Sequence, residues 1–198
     1  MFSVRNNALT RLAALLTTAF LALAATFTSQ SSAFAEDLEN TSDEVVEAIE
    51  TQPWPEYGLG DQGPDIAAAK YLLVEHGFDP HLDEDAPSEF DGHTEAAVLS
   101  YQGANALHED GRLNSETWEL LRQQTFGEYG PGNSGPVVKA VQFLLNAKFQ
   151  AHIPVDGEYG EVTEGVVYDA QEHFEIRADG IVGELTWRAL VTYQDHDR

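Results

Sequence analysis

EDGRLNSETWELL at residues 109–121 and ADGIVGELTWRAL at residues 178–190 carry the same pattern. In each stretch Thr-Trp begins six residues after the glycine of an Asp-Gly pair, and a leucine follows three residues after the tryptophan. Asp-Gly is typical of a tight turn, because the Asp side chain bonds the downstream backbone and Gly accepts a positive φ angle. The spacing that follows predicts a short helix. The chain therefore contains the same turn and helix twice.

The duplication extends over most of the chain. Residues 57–73 align with residues 129–145 at an offset of 72, and from Thr94, which aligns with Thr163, the offset is 69. The change of offset means three additional residues in the first copy. They fall in the acidic, turn-rich loop DPHLDEDAPSEFD, where an insertion is well tolerated. The chain is therefore predicted to carry two copies of one module of about 70 residues.

Each module is predicted to contain three helices. Pro64 and Pro136 suit the first position of a helix, where a missing N–H is harmless, and Gly77 suits the end of the first helix. A second helix is predicted to begin at Thr94 or Thr163, each acting as N-cap, and a third carries Thr-Trp. No alternating apolar pattern is long enough for a sheet. The predicted fold class is mainly α, with two tandem small three-helix modules in orthogonal bundles.

Four residues of the repeated pattern are predicted to be structural anchors. The tryptophan of each copy begins a short helix beside apolar positions, so it is expected to be the largest side chain in the core. The glycine of each Asp-Gly pair is expected to turn the chain ahead of that helix. These anchors are Trp118, Trp187, Gly111 and Gly180.

The first 35 residues differ in kind from the rest. Arg5 and Arg11 precede an apolar run over 12–27, and the small-residue stretch Ala-Phe-Ala ends at Ala35. A charged start, a short apolar middle and an A-x-A end predict a secretory signal peptide over residues 1–35. The apolar run is shorter than the ~20 residues that a membrane-spanning helix needs. Cleavage after Ala35 would leave a secreted, extracellular protein without a membrane segment.

An acidic spacer is predicted over residues 36–52, EDLENTSDEVVEAIETQ. Within it Thr41 and Glu44 have the pattern of a capping box, which favours a short helix. No residue of the spacer indicates a catalytic or ligand-binding role. The two modules are then predicted to occupy residues 53–123 and 124–198.

Charge and residue content exclude several kinds of partner. The chain has 34 acidic and 10 basic residues and a formal net charge of −24, so it would repel nucleic acid and anionic membrane surfaces. It has no cysteine, which excludes disulfides and a thiol nucleophile. The seven histidines form no short chelating motif, so neither a metal nor a cofactor is predicted. A G-x-S-x-G elbow is also absent, and the chain is predicted not to be an enzyme.

The motifs Gly-Pro-x-Val-x-x-Val-Gln, Val-Asp-Gly-x-Tyr-Gly and Asp-Gly-Ile-Val-Gly-x-x-Thr-Trp follow one another in the second copy. In this order they resemble the peptidoglycan-binding domain family, over nearly all of residues 57–121 and 129–190. The first copy departs more from the pattern, since Lys70 replaces the glutamine seen as Gln142. The resemblance implies small helical modules that attach secreted bacterial proteins to the glycan strands or stem peptides of peptidoglycan. It also favours the second copy as the stronger binder.

Candidate ligand-binding residues follow from this resemblance and from the loops. An aromatic ring beside carboxylates in an exposed loop suits sugar stacking and hydrogen bonds to hydroxyls. Each glutamine either bonds a ligand or caps the following loop, the tyrosine of the second copy either stacks on a sugar or closes the core, and the aspartate of Asp-Gly is a ligand or a turn former. The candidates are Asp156, Glu158, Tyr159, Gln171 and Asp179 in the second copy, and Tyr101 and Gln102 in the first.

Three functions remain open at this point. The first is a cell-wall-associated, non-catalytic peptidoglycan-binding protein, in which two weak sites on one chain gain from effective concentration. The second is a protein–protein module that docks on a secreted enzyme through its acidic face. The third and least favoured is a wall hydrolase with an unrecognised site between the modules.

Overall fold

The protein is mainly helical. The computed structural model describes residues 41–82 and 87–194, so the predicted signal peptide lies outside the described residues. Within these ranges there are seven helices and, in place of a sheet, four isolated β-bridges. The predicted fold class is confirmed. The helices are α1 (Asp43–Glu50), α2 (Pro64–Glu75), α3 (Gly92–Ala104), α4 (Ser115–Thr125), α5 (Pro136–Phe149), α6 (Glu161–His173) and α7 (Glu184–Thr192).

The duplication in the sequence is also a duplication in the structure. Helices α2–α4 and α5–α7 follow the same order, and both first helices begin at the predicted prolines. Two β-bridges join the loops of each module, and the bridges of one module correspond to those of the other at the offsets of 72 and 69. The four bridges are Tyr57–Leu113, Gln62–Glu89, Tyr129–Val182 and Ser134–Glu158.

The second helix of each module begins earlier than predicted. Asp91 caps α3, since its Oδ1 accepts hydrogen bonds from the Thr94 N–H at 2.8 Å and hydroxyl at 2.7 Å. Helix α6 begins after Gly160, and Thr163 lies in its first turn. The prediction that the two threonines are N-caps is therefore wrong. Both threonine side chains are buried. The Thr163 hydroxyl accepts a hydrogen bond from Gln142 at 3.2 Å, so it bonds a side chain inside the module.

The two modules share one hydrophobic core. The most extensive contact between helices is that of α2 with α5, the first helix of each module. Alanines 67–69 of α2 are fully buried, and such small side chains let two helix backbones approach closely. Buried side chains from all six helices of the two modules belong to a single cluster. The modules are therefore halves of one packed body.

An aromatic residue near the start of each module covers that module's tryptophan. Trp118 and Trp187 are fully buried in the shared core. Trp54 stacks on Trp118, with ring centroids 5.8 Å apart and planes 9° apart. Phe126 stacks on Trp187 at 4.4 Å and 20°. Trp54 and Phe126 are 72 residues apart, so the structural repeat begins a few residues before the aligned segments.

The stretch predicted as an acidic spacer contains α1, which packs on α7. Ile49 is buried in a small second core with residues of the second module. The N-cap of α1 is Ser42, whose Oγ accepts a hydrogen bond from the Val45 N–H at 3.3 Å. The predicted capping box at Thr41 is wrong, because the Thr41 hydroxyl instead accepts a hydrogen bond from the Arg177 N–H at 2.9 Å.

A cluster of four charged side chains fastens α1 to both modules. Arg122 of α4 contacts Glu50 and Glu119 at 2.7 Å each. Arg188 of α7 contacts the same two carboxylates at 3.3 and 3.7 Å. The Arg188 guanidinium also lies 4.4 Å from the ring centroid of Trp54. Both arginines are buried, and removal of either would leave the two carboxylates with one cationic partner instead of two.

A buried ion pair crosses the interface between the modules. Lys148 of α5 and Asp65 of α2 are 2.7 Å apart, and both side chains are less than a tenth exposed. Burial raises the pKa of Asp65 and lowers that of Lys148, while each charge offsets the effect on the other. Asp65 also accepts a hydrogen bond from the Tyr57 hydroxyl at 2.9 Å. Lys148 donates to the carbonyl oxygens at the end of α7, those of Leu190, Val191 and Tyr193, at 2.7–2.9 Å.

Candidate functional site

Two loops meet at one edge of the second module: residues 156–160, before α6, and residues 179–183, before α7. Tyr159 joins them, since its hydroxyl donates a hydrogen bond to the carbonyl oxygen of Gly180 at 2.7 Å. The tyrosine is only 3% exposed, and burial raises the pKa of its phenol far above the usual range. Of the two roles considered for Tyr159, the structure places it in the core, where the neutral hydroxyl ties the loops together.

Gln171 holds the second of these loops from inside the module. Its side chain is fully buried, and Nε2 donates to Asp179 Oδ1 at 3.2 Å, the Ile181 carbonyl at 2.8 Å and Thr186 Oγ1 at 3.1 Å. Its Oε1 accepts from the N–H groups of Asp179 and Gly180 at 3.0 and 2.8 Å. Gly180 has a φ angle of 73°, which suits glycine. We call this arrangement the Gln–Asp-Gly–Thr bracket.

The bracket occurs three times in the described part of the chain. Each time a buried glutamine amide donates to the aspartate and the threonine and accepts from the glycine N–H, and the threonine is the sixth residue after the glycine. Gln102 and Gln171 therefore hold the following loops, which is one of the two interpretations of these residues, and Gln142 does the same. The three sets are Gln102 with Asp110, Gly111 and Thr117; Gln142 with Asp156, Gly157 and Thr163; and Gln171 with Asp179, Gly180 and Thr186.

Gln142 was not among the residues predicted to form the site. The signal was present, because Asp156-Gly157 and Thr163 repeat the spacing of the two stretches that reveal the duplication. Lys70 takes the position of Gln142 in the first module and is fully buried. The first module thus has a buried ammonium group at the position where the second module has this amide.

The carboxylates at this edge of the module differ in their exposure to solvent, and therefore in their accessibility to a ligand. Asp156 and Glu158 are exposed, and hydrogen bonds from the Glu158 N–H and the Gln142 amide hold the pKa of Asp156 below its usual value. Asp179 is partly buried and lies 3.5 Å from Arg177. Ionised carboxylates are acceptors only, so the edge offers partners for hydroxyl and amide N–H groups.

The two candidates of the first module do not form one site. Gln102 faces the loop at 110–112, whereas Tyr101 packs on the other side of α3. The Tyr101 hydroxyl donates to Gln124 Oε1 at 2.9 Å, and its ring meets Phe78 edge to face at 5.5 Å. Tyr101 is fully buried, so it supports α3 from within the module.

Two further features of the described residues bear on the site. In residues 41–82 and 87–194 no three His, Asp or Glu side chains come together in a way that could hold a metal ion. None of the helices in these ranges is long and apolar enough to cross a membrane.

A family comparison relates these modules to known proteins. The family described as "Putative peptidoglycan binding domain" matches residues 62–121 and again residues 134–190. The chain belongs to this family. No curated protein matches it. The resemblance inferred from the motifs is therefore confirmed, in two tandem copies.

Each peptidoglycan-binding match covers one set of three helices. The match over 62–121 begins just before α2 and ends in α4, and the match over 134–190 begins just before α5 and ends in α7. All three brackets lie inside the matched residues. Helix α1 lies outside them, so its contact with the second module is a feature of this chain in addition to the family's domain.

Proposed function

We propose that the protein is a secreted, non-catalytic cell-wall protein that binds peptidoglycan through modules at residues 53–123 and 124–198. The observation that carries the proposal is the family match to both modules. A signal peptide over residues 1–35, cleaved before the acidic segment, would deliver the protein to a bacterial wall. Binding without cleavage accords with modules whose buried glutamines, threonines and tyrosines serve to hold loops.

The exposed carboxylates of the second module are proposed as its direct ligand contacts. Asp156, Glu158 and Asp179 would accept hydrogen bonds from sugar hydroxyls or from the amide N–H groups of stem peptides. Tyr159 and Gln171 would not contact the ligand directly. They would hold in position the two loops that carry these carboxylates. Gln102 would do the same for the first module.

The shared core gives the two modules a fixed spacing. Two sites on one rigid body engage a polymer together only where the polymer presents two matching positions, and effective concentration then strengthens the second contact. A repeating polymer such as peptidoglycan meets this condition. The tandem arrangement therefore favours a wall polymer over a small soluble ligand.

The net charge of −24 leads to a salt-dependent prediction. A surface with so many carboxylates approaches an anionic wall against electrostatic repulsion, and added salt or a divalent cation screens that repulsion. Retention of the full-length protein on purified insoluble peptidoglycan is expected to increase between about 10 and 150 mM salt, as the Debye length falls from about 30 to 8 Å.

Sedimentation of the protein with peptidoglycan stripped of secondary polymers, over a salt series, measures this directly. A polymer-free wall and a wall with its anionic polymers serve as a matched pair, and the salt effect is expected to be larger on the latter. Retention that stays constant or declines as salt rises would contradict the proposed role of charge. Absence of retention at every salt concentration would overturn the proposed function.

A further inference from the structure

A groove separates the C-terminal end of α1 from the C-terminal end of α7. It has a volume of about 450 Å³, within the range of small-molecule sites. One wall carries Gln52 and Pro53, which follow α1, and the other carries Phe174, Tyr193 and Gln194. Most of the lining lies outside the residues matched by the family, so the groove is formed by the additional helix α1 together with the end of α7.

The groove is uncharged, although the protein is strongly acidic. The nine described residues that line it are apolar, aromatic, amide or hydroxyl residues, and none carries a charge. The chain has 34 acidic residues, so a cationic ligand would find carboxylate partners elsewhere on the protein and none among the residues that line this groove. The groove equally lacks a cation to pair with a carboxylate. Its chemistry favours a neutral ligand that has both apolar faces and amide or hydroxyl groups.

The aromatic wall is held in place by its neighbours. Tyr193 stacks on Phe149, with ring centroids 5.2 Å apart and planes 18° apart, and meets Phe174 at 5.6 Å. Lys148 donates a hydrogen bond to the Tyr193 carbonyl at 2.9 Å. Because these rings pack on one another without a ligand, little further entropy would be lost in ordering them on binding.

The opposite wall, at the C-terminal end of α1, is held in place by Arg188 of α7. The Arg188 guanidinium donates to the carbonyl oxygens of Ile49 at 3.0 Å, Glu50 at 2.7 Å and Gln52 at 2.9 Å. These bonds cap the C-terminal end of α1, where carbonyl groups lack partners within the helix. The two walls therefore keep a defined separation.

The first module has no such aromatic wall. At the offset of 69, Asn105 stands for Phe174 and Gln124 stands for Tyr193. Gln124 Nε2 donates to Asn105 Oδ1 at 2.8 Å, so these side chains bond each other. The groove is thus a feature of the second module, and its polar counterpart in the first module supplies a matched control.

We propose that this groove binds the N-acetylated sugars of a glycan strand, with a pyranose face on Tyr193 and Phe174 and the acetamido group at Gln52 or Gln194. The inference rests on the proposed function and gives it a ligand class. In peptidoglycan the free carboxylates belong to the stem peptides, while the sugars of the strand are N-acetylated and largely uncharged. A neutral groove with aromatic and amide groups is complementary to the strand.

The test uses full-length protein and a defined probe, the tetrasaccharide of β-1,4-linked N-acetylglucosamine, titrated by calorimetry. Tyr193→Ala removes one of the two aromatic rings of the wall, and Ala48→Glu places a carboxylate in the groove from an exposed position on α1. Both are expected to weaken binding at least about tenfold, or 1.4 kcal/mol. Gln124→Ala, the equivalent of Tyr193→Ala in the first module, is expected to leave the affinity within about twofold. Circular dichroism checks that each variant is folded.

The outcomes separate this inference from the proposed function, because the same proteins are also sedimented with peptidoglycan. Wild-type retention on peptidoglycan without tetrasaccharide binding, or with binding unaffected by Ala48→Glu, overturns the groove and leaves the proposed function standing. Groove-dependent tetrasaccharide binding without retention supports the groove and overturns the wall function. Competition by a free stem peptide would overturn the assignment to sugars. Since the probe is neutral, its affinity is expected to be insensitive to salt.

Discussion

Replacing Lys148 with alanine is expected to lower the free energy of unfolding by about 3–5 kcal/mol. The substitution leaves Asp65 buried at the module interface without its cation, 2.7 Å from where the ammonium group had been. It also removes three hydrogen bonds to the carbonyl groups at the end of α7. Urea denaturation followed by tryptophan fluorescence measures the change, and a single transition is expected because the modules share one core.

Lys139→Ala is the matched control, because Lys139 lies on the same helix and is partly exposed. It is expected to change the free energy of unfolding by no more than about 0.5 kcal/mol. The double variant Lys148→Met with Asp65→Asn removes both charges and is expected to be more stable than Lys148→Ala. Equal losses for Lys148→Ala and Lys139→Ala would show that the ion pair does not hold the modules together.

Replacing Gln171 with leucine is expected to lower the free energy of unfolding by about 3 kcal/mol and to reduce retention on peptidoglycan. The leucine fills the space but leaves the N–H groups of Asp179 and Gly180 and the carbonyl of Ile181 without partners. Each buried polar group left unpaired costs about 1–3 kcal/mol. Thermal unfolding and sedimentation with peptidoglycan, measured below the unfolding transition, test the two effects separately.

Gln123→Leu serves as the control for this substitution. Gln123 is exposed on α4 and bonds only Glu119, at 2.8 Å, among the contacts found in the described chain. Its replacement is expected to change stability by no more than about 0.5 kcal/mol and to leave retention unchanged. If Gln171→Leu is destabilised while its retention is unaffected, the loop at 179–183 is not part of the binding surface.

Local features of the sequence were enough to predict the modules. Proline at a first helical position and Asp-Gly ahead of Thr-Trp each act over a few residues, and each recurs in both copies. The glycine after the first helix is present only in the first copy, as Gly77. The N-cap assignments failed for a different reason. The Thr163 hydroxyl accepts a hydrogen bond from Gln142, 21 positions earlier in the chain, while Thr94 lies inside α3 because Asp91, three residues before it, is the N-cap.

The place of α1 and the groove beside it depend on contacts that no local pattern records. Arg188 bonds the carbonyl of Ile49 across 139 positions. A short acidic amphipathic segment has the same sequence pattern whether it is solvated or packed against another helix. The docking of α1 therefore depends on its contacts with α7 in the folded protein and cannot be predicted from the sequence of α1 alone.

The candidate site was predicted in part, because residue type does not reveal burial. Tyr159 and Glu158 are adjacent in one loop, yet the tyrosine is 3% exposed and the glutamate is exposed. A tyrosine offers both an apolar ring and a hydroxyl, so it suits either a sugar or a core. The hydrogen bond from its hydroxyl to Gly180 assigns it to the core.

The most direct test of the central claim is sedimentation of the full-length protein with purified insoluble peptidoglycan, followed by assay of the supernatant for soluble fragments. Saturable retention is expected, stronger at higher salt, with no release of muropeptides or reducing ends. Release of fragments would show that the protein is a hydrolase. Failure to sediment at any salt concentration would contradict wall binding and direct attention to a protein partner at the acidic surface.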